Sequence, residues 1–473
     1  MRVLAFGVLV AAFALGAHAE GDLDPAFGFG GRSDVPFDVT EGTLFEAAFA
    51  SALQSDGRLV LAGAASNAAG NLDFAATRLL PNGFVDDEFG SGGRLRVHFD
   101  LYSSGRTDND RANGVALQPG GKIVLAGTAD GSPFPELGGA TSLALARFDS
   151  GGALDPGFGA DGTGKVAVDS ATGRAVAILP NNMIAVAGAS GAIPALFVFD
   201  ADGKTINTAA FDLVPDSTTG EASALGVDPL GRIVVAGSYF DDVGQPPSNG
   251  YDCFVARYAY SAASASYVRD DSFGGNGRFR FGFDVGYGYN DHCNGLAVQP
   301  DGNVVVVGSA ESGASSSLIG IARVLSDGSS IDPAFNGGKF TTYFEAPGQA
   351  NVANAVKLQS DGKIVIAGIG GVSDPARAPN DFGILRLERN GNFDDSLVAS
   401  TPGSNEATAM VGFEAYFGKA AGENDPGLAL SIDSADRIYA VGAAQYDGSD
   451  YDMAVARLDS LKIFVGNFER APQ

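Results

Sequence analysis

The chain contains very little histidine, cysteine or tryptophan. Its 473 residues include three His, two Cys and no Trp. Only His98 and His292 follow the first 20 residues, which excludes a zinc site of three His ligands there, and no His-Glu-x-x-His motif is present. No Gly-x-Ser-x-Gly sequence indicates a hydrolase nucleophile. Cys253 and Cys293 are too few for a disulfide scaffold and match no zinc spacing.

Positive charge is also scarce. Lys and Arg number 30 against 56 Asp and Glu, which gives a formal net charge of −26. Such a field repels nucleic acid and anionic lipid and attracts cations, so we expect no nucleic-acid partner. Beyond the first 20 residues no apolar run is long enough for a membrane helix, so we expect no membrane insertion. A hydrophobic content of 45% still permits a large core.

The first 20 residues have the pattern of a secretory signal peptide. Arg2 precedes an apolar run that ends near Leu15, and small residues stand at Ala17 and Ala19. This pattern predicts a signal peptide over residues 1–19 and export to the periplasm or the exterior. Residues 20–473 then form the mature chain, which we expect to be a single domain and a monomer.

One short phrase recurs along the mature chain. "QSDGRLVLAG" at 54–63 returns as "QSDGKIVIAG" at 359–368. Seven related phrases end at Gly63, Gly127, Gly188, Gly237, Gly308, Gly368 and Gly442. The mean interval is about 63 residues. Most begin with a Gly-containing turn, so each copy predicts a strand, a tight turn and a second strand.

Two further strands follow in each repeat. A short run such as "DFAATRL" at 73–79 or "DMAVARL" at 452–458 predicts a third strand. A Gly-Phe phrase such as "DDEFGSGGR" at 86–94 introduces a fourth. Four antiparallel strands repeated seven times are the pattern of an all-β, seven-bladed β-propeller.

The position of the Gly-Phe phrases predicts how the ring closes. One phrase, at residues 24–32, precedes the first repeat, and none follows the last third strand. Residues of about 30 to 38 should therefore form the outer strand of blade 7. Blade 3 is degenerate, since "FDADGKTINTAAFD" replaces its phrase.

The phrases "LDPAFGFGGR", "ALQPGGKIVLAG" and "DFGILRLERNGNFDDS" resemble the delta-60 repeat family of secreted bacterial β-propellers. The resemblance covers nearly the whole mature chain. It implies the propeller fold and carries no established activity.

Residues that recur from blade to blade are predicted to be structural. One Arg recurs in the third strand, as Arg78, Arg147, Arg257, Arg323, Arg386 and Arg457. We expect these side chains to form ion pairs or caps between strands. The Phe of the Gly-Phe phrases, as in Phe89 and Phe158, is expected to lie as a wedge between blades.

Function is therefore sought in the loops that vary, which fall on one face of a propeller. That face is predicted to be acidic and to contain Tyr. Its candidate binding residues are Asp108, Asp110, Asp241, Asp242, Tyr287, Tyr289, Asp291, His292, Asp447 and Asp450. We predict a non-catalytic propeller that binds a protein, a glycan or a cation through these loops. The alternative is a hydrolase or lyase that uses loop carboxylates and Tyr.

No cofactor motif is present, and calcium is expected to bind at most weakly, because the acidic loops lack the ligand spacing of a dedicated calcium loop.

Cys253 begins the predicted third strand of blade 4, and Cys293 precedes the first strand of blade 5. Both lie near the same face of neighbouring blades, which predicts a disulfide in an oxidising compartment. Two buried thiols are the alternative.

Overall fold

The computed structural model describes residues 22–37, 45–99, 101, 109–130, 141–204, 211–215, 217–241, 250–285, 290–345, 348–371, 380–397, 407–413, 424–447 and 450–459. The predicted signal peptide lies outside them. Every regular element of the described chain is a β-strand, and the strands number 29. In this part of the chain no helix is long and apolar enough to span a membrane.

Seven antiparallel sheets contain these strands, and the four strands of a sheet are named A to D from the inside outwards. The A strands are β2 (Glu46–Leu53), β6 (Asn109–Leu117), β10 (Ala171–Ile178), β14 (Gly220–Val227), β19 (Asp291–Val298), β23 (Val352–Leu358) and β27 (Gly427–Ile432). The B strands are β3 (Leu59–Ser66), β7 (Ile123–Asp130), β11 (Ile184–Ser190), β15 (Ile233–Asp241), β20 (Val304–Gly313), β24 (Ile364–Gly371) and β28 (Ile438–Asp447). The C strands are β4 (Leu72–Leu79), β8 (Thr141–Phe148), β12 (Ile193–Phe199), β16 (Gly250–Ser261), β21 (Ser316–Val324), β25 (Asn380–Leu387) and β29 (Asp450–Leu458). The D strands are β5 (Arg94–Val97), β9 (Lys165–Asp169), β13 (Phe211–Asp212), β18 (Arg278–Phe281), β22 (Lys339–Thr342), β26 (Thr408–Val411) and β1 (Arg32–Val35).

The sheets confirm the seven-bladed propeller and its closure. Six sheets use strands that are consecutive in the chain, whereas the seventh has the order β1-β29-β28-β27. β1 pairs antiparallel with β29, with Arg32 opposite Ala456 and Val35 opposite Met453. The N-terminal strand thus completes blade 7, as the displaced Gly-Phe phrase predicts.

Two blades depart from the regular pattern. Blade 3, predicted to be degenerate, has an outer strand of only two residues, β13. In blade 4 the 12-residue strand β16 extends beyond its sheet and pairs with an additional strand, β17 (Ser266–Arg269), as well as with β18. The sequence analysis predicted four strands here and missed the fifth.

The hydrophobic core lies between blades. Seven clusters of buried side chains are present, and each joins two consecutive blades. One of them joins blade 7 to blade 1 and includes Val35, Ala48 and Val455. Because each blade buries its faces only against its neighbours, the ring must close to bury them all.

The recurring Arg and Phe form a structural unit in five of the seven blades. Arg147 lies 4.7 Å from the ring centre of Phe158 and pairs with Asp155 at 2.8 Å. Its guanidinium also donates to the carbonyl of Ala201 in the next blade. The Phe158 ring lies against Gly203 of that blade, where a Cβ would come within 2.6 Å of the ring. The unit therefore links neighbouring blades.

The predicted disulfide is confirmed. Cys253 and Cys293 are bonded, with their Cα atoms 5.5 Å apart. Cys253 lies inside β16 and Cys293 inside β19, although the sequence analysis placed Cys293 before its strand. The bond joins blade 4 to blade 5.

Candidate functional site

The structure does not describe the side chains of six of the ten predicted binding-face residues. Asp108, Asp242, Tyr287 and Tyr289 lie outside the described residues. Asp241 and Asp447 end the strands β15 and β28, and only their backbone is described. Asp450 begins β29 and is half-buried. The binding role of these residues stays a prediction.

Two other predicted residues are buried. Asp110 and Asp291 are each 1% exposed and lie within β6 and β19, not in loops. The backbone N–H of Phe99 donates to Asp110 at 2.7 Å, and that of Phe283 donates to Asp291 at 2.5 Å. These carboxylates cap the chain between two blades and are not exposed to solvent as the loop interpretation required.

The same cap recurs at other blade junctions. Phe37 donates to Glu46 at 3.2 Å, Phe344 to Asn351 at 3.0 Å, and Phe413 to Asp425 at 2.7 Å. A carboxylate or amide at the start of an A strand therefore fixes the segment that follows the preceding D strand. Since this contact repeats around the ring, it indicates a structural role.

An acidic cluster adjoins the disulfide. Carboxylate oxygens of Asp252, Asp284 and Asp291 lie within 4.8 Å of one another. Burial raises the pKa of Asp291, and the nearby charge of Asp284 also raises it. The ammonium of Lys339 lies 3.2 Å from Asp284 and also donates to the carbonyl of Gly282. A protein cation therefore already partly neutralises this cluster.

His292 is the predicted residue that the structure places in a cavity. A space of about 410 Å³ opens on the face formed by the B–C and D–A connections, above blades 3, 4 and 5. Its walls carry hydroxyl, amide, carboxylate and ring side chains. The lining residues are Thr172, Ala189, Gly191, Ala192, Thr219, Gly220, Glu221, Ser223, Ser238, Tyr251, His292 and Asn294.

The degenerate third blade explains why the cavity lies here. Its B–C hairpin is short, because β11 ends at Ser190, two residues after the Gly of the repeated phrase, and only Gly191 and Ala192 join it to β12, whereas β20 of blade 5 continues five residues past that Gly. Gly191 has a φ of 58°, which a Gly adopts without strain. A hairpin this short does not project above the sheet, so the space above blade 3 remains open.

The rings of Tyr251 and His292 form one wall. Their centres are 5.1 Å apart, with 36° between the ring planes. Burial lowers the pKa of His292, whereas the charge of Glu311 raises it by less. The imidazole is therefore neutral at pH 7 and offers one donor and one acceptor. The adjacent residue, Cys293, fixes this wall through its disulfide to Cys253.

Glu221 supplies a negative charge to the cavity wall. Its carboxylate accepts a hydrogen bond from the hydroxyl of Thr172 at 2.9 Å and pairs with Arg174 at 2.7 Å. The sequence analysis missed Thr172, Glu221 and Tyr251. The first two lie in A strands, at the position that follows the strand's capping site, where each blade has a different residue. An alignment of the seven repeats would have revealed this variation.

A comparison with family models supports β-propeller repeats in this chain. Residues 54–89, 118–158, 299–335 and 359–397 match the family model described as "Domain of unknown function (DUF5122) beta-propeller". No curated protein sequence matches this chain. A similar solved structure is a protein of unknown function from Dyadobacter fermentans, with 13% identity and a TM-score of 0.47, covering 91% of this chain and 100% of that one.

Two enzymes are also among the similar structures. One is a Penicillium chrysogenum α-L-arabinanase complexed with arabinobiose, with 13% identity, a TM-score of 0.42 and coverage of 90% and 96% of the two chains. The other is an ulvan lyase of polysaccharide lyase family PL25, with 10% identity, a TM-score of 0.45 and coverage of 85% and 90%. Similarity this distant concerns the fold alone. The four matched segments support a β-propeller repeat family for this chain, with a closed ring of seven blades.

Proposed function

We propose that this protein is a non-catalytic propeller that binds a glycan in the cavity beside His292. The observation that carries the proposal is the chemistry of the cavity wall. Hydroxyl groups, the amide of Asn294 and the carboxylate of Glu221 line the cavity. The rings of Tyr251 and His292 form one of its walls. Sugars present hydroxyl groups that need such donors and acceptors, and apolar C–H faces that stack on rings.

The proposal extends to the setting of the protein. We propose that the chain is secreted or periplasmic, monomeric, and built from repeats of the delta-60 type. The disulfide supports an oxidising compartment, because such bonds persist there. The Gly-Phe phrases support the repeat type. Light scattering of the purified protein tests the monomer.

A panel of immobilised polysaccharides tests the glycan proposal. The wild type should bind at least one of them, and Tyr251→Ala and Glu221→Gln should each weaken that binding by about tenfold or more, because the first removes a ring surface and the second a charged hydrogen-bond acceptor. Tyr260→Ala is the matched control, since Tyr260 is 46% exposed on the blade 4 extension, away from the cavity. Equal binding by all three variants and the wild type would refute the site.

A second candidate is a glycan lyase or hydrolase, which the neutral imidazole of His292 favours as a proton acceptor beside the ring of Tyr251. The same panel distinguishes the two. Release of shorter fragments that stops in His292→Ala would support the enzyme, whereas bound and intact polysaccharide would support the binding protein.

A further inference from the structure

The central channel contains a second, smaller cavity. It measures about 210 Å³ and is lined by residues of all seven A strands. Ser223 and Asn294 line both this space and the cavity beside His292, so the two adjoin. Among the described lining residues the charged ones are Arg174 and Lys357, and none is a carboxylate. In a chain of net charge −26, this is a positively charged lining.

Lys357 departs from the sevenfold repeat. It lies opposite Val365 in its sheet, and the other A strands have a residue in the same register. Those six residues are all small: Ala52, Ala116, Ala177, Gly226, Ala297 and Ser431. A small side chain at this position is therefore sufficient for the fold, so the packing of the blades does not account for Lys357.

The ammonium of Lys357 has no ion-pair or hydrogen-bond partner among the described residues. The Lys357 side chain is exposed to the water of the channel. Protein nonetheless surrounds it, and the resulting desolvation of the ammonium lowers the pKa of Lys357. An enclosed ammonium without a counter-charge is unfavourable, so an entering anion would be bound more strongly than at the open surface.

Arg174 is the second cation of this lining. Its Nε pairs with Glu221 at 2.7 Å, and its side chain is 49% exposed. A guanidinium carries five N–H donors in a planar fork, so this single pair leaves donors for a ligand. Blades 3 and 6, which supply Arg174 and Lys357, lie on opposite sides of a seven-bladed ring. The two cations therefore face the cavity from opposite walls.

We propose that Lys357 and Arg174 bind a carboxylate in the central channel, and that the glycan recognised by this protein carries an acidic sugar. The second part rests on the proposed function, whereas the carboxylate site does not. A sugar ring in the cavity beside His292 would place its acidic group near Ser223 and Asn294, at the entrance to the channel.

Calorimetry with glucuronate and glucose tests the proposal, since the two sugars differ by a carboxylate. The wild type should bind glucuronate about tenfold more tightly than glucose, in keeping with a hydrogen bond to a charged group. Lys357→Ala should lose this preference. The variant should fold, because Ala occupies the same position in four other blades. Lys204→Ala, at an exposed turn on the other face, should retain it.

A titration with acetate separates the carboxylate site from the glycan proposal. Protein labelled with ¹³C at the lysine ε-carbon should show one resonance that is absent in Lys357→Ala and that shifts to saturation with acetate. If neither sugar binds but acetate shifts this resonance, the channel site holds and the glycan proposal fails. If the Lys357 resonance responds to no carboxylate, or if Lys357→Ala keeps the preference for glucuronate, the channel site is overturned.

Discussion

At the scale of single residues, repetition distinguishes structural chemistry from candidate function. Asp110, Asp291 and Asp425 are acidic and lie at the face where a ligand was expected, but each accepts the same backbone N–H at a blade junction. His292 and Lys357 have no such equivalents: each is the single residue of its type at its position in the ring. His292 lines the first cavity and Lys357 the second.

The seam between blade 7 and blade 1, where the ring closes, contains a carboxyl group with a strongly raised pKa. Asp452 on β29 is buried, and burial is the main cause that raises its pKa to about 8. The charged groups that face it are all acidic: Glu46 on β2, Asp34 on β1 and Asp450 on its own strand. Glu46 also shares a hydrogen bond with Asp452, so one proton is held between two blades.

The pH dependence of stability follows from this raised pKa. The folded protein binds the proton of Asp452 more tightly than the unfolded chain, whose Asp has a pKa near 3.8. The stabilisation is therefore complete below about pH 4 and is lost as the pH rises towards about 8. Asp452→Asn keeps the hydrogen bond without the charge, so we expect it to be more stable than the wild type at pH 9 by about 1 kcal/mol or more, and similar at pH 4.

Thermal melts of both proteins between pH 4 and pH 9 measure this difference. Asp271→Asn is a suitable control, because the Asp271 side chain is 68% exposed. Parallel curves for wild type and Asp452→Asn across the whole range would show that no shared proton stabilises the seam.

At the scale of the strands, the outer strand of blade 7 comes from the opposite end of the described chain. Deletion of residues 20–40 removes β1 and also Phe27, which packs between Arg457 and Tyr439 at the same junction. The ring then has an open edge and an exposed core, so we expect the melting temperature to fall markedly. Circular dichroism measures it. Phe29→Ala, which changes a 55% exposed residue of the same segment, should have little effect, and an unchanged melting temperature after the deletion would contradict the closure.

The disulfide joins two strands of neighbouring blades across a separation of 40 residues. In the chain-entropy model a loop of this length is worth up to about 4 kcal/mol, so the double variant with Ser at both Cys positions should unfold at a lower denaturant concentration. Because Cys293 follows His292, the variant should also bind its glycan more weakly. Intact mass after alkylation of unfolded, non-reduced protein tests the bond itself: two alkylated thiols would exclude it.

Most of the architecture could be predicted from the sequence, because the same phrase recurs wherever the same turn and strand are needed. Gly-Phe phrases predicted the wedges and even the displaced strand β1. The site was harder to predict. Asp110 and Asp291 follow sequences typical of loops, yet both lie within the first two residues of a strand, since a buried cap has the composition of a polar loop. Thr172, Tyr251 and His292 line one cavity only because blades 3, 4 and 5 are neighbours in space.

At the scale of the whole molecule, the net charge of −26 attracts cations, but a net field alone does not make a dedicated binding site. The tightest described acidic group, Asp252 with Asp284 and Asp291, already has Lys339 beside it. We therefore predict that calcium binds weakly and at few sites. Calorimetric titration with calcium chloride at physiological salt checks this, and several submicromolar sites would contradict it.

The most direct test of the account is a crystal structure of the protein with an oligosaccharide that the polysaccharide panel identifies. We predict density for the sugar in the cavity bounded by Glu221, Tyr251 and His292, with any acidic group directed towards Lys357. Sugar bound instead on the opposite face, where the short A–B turns lie, would contradict the proposed site.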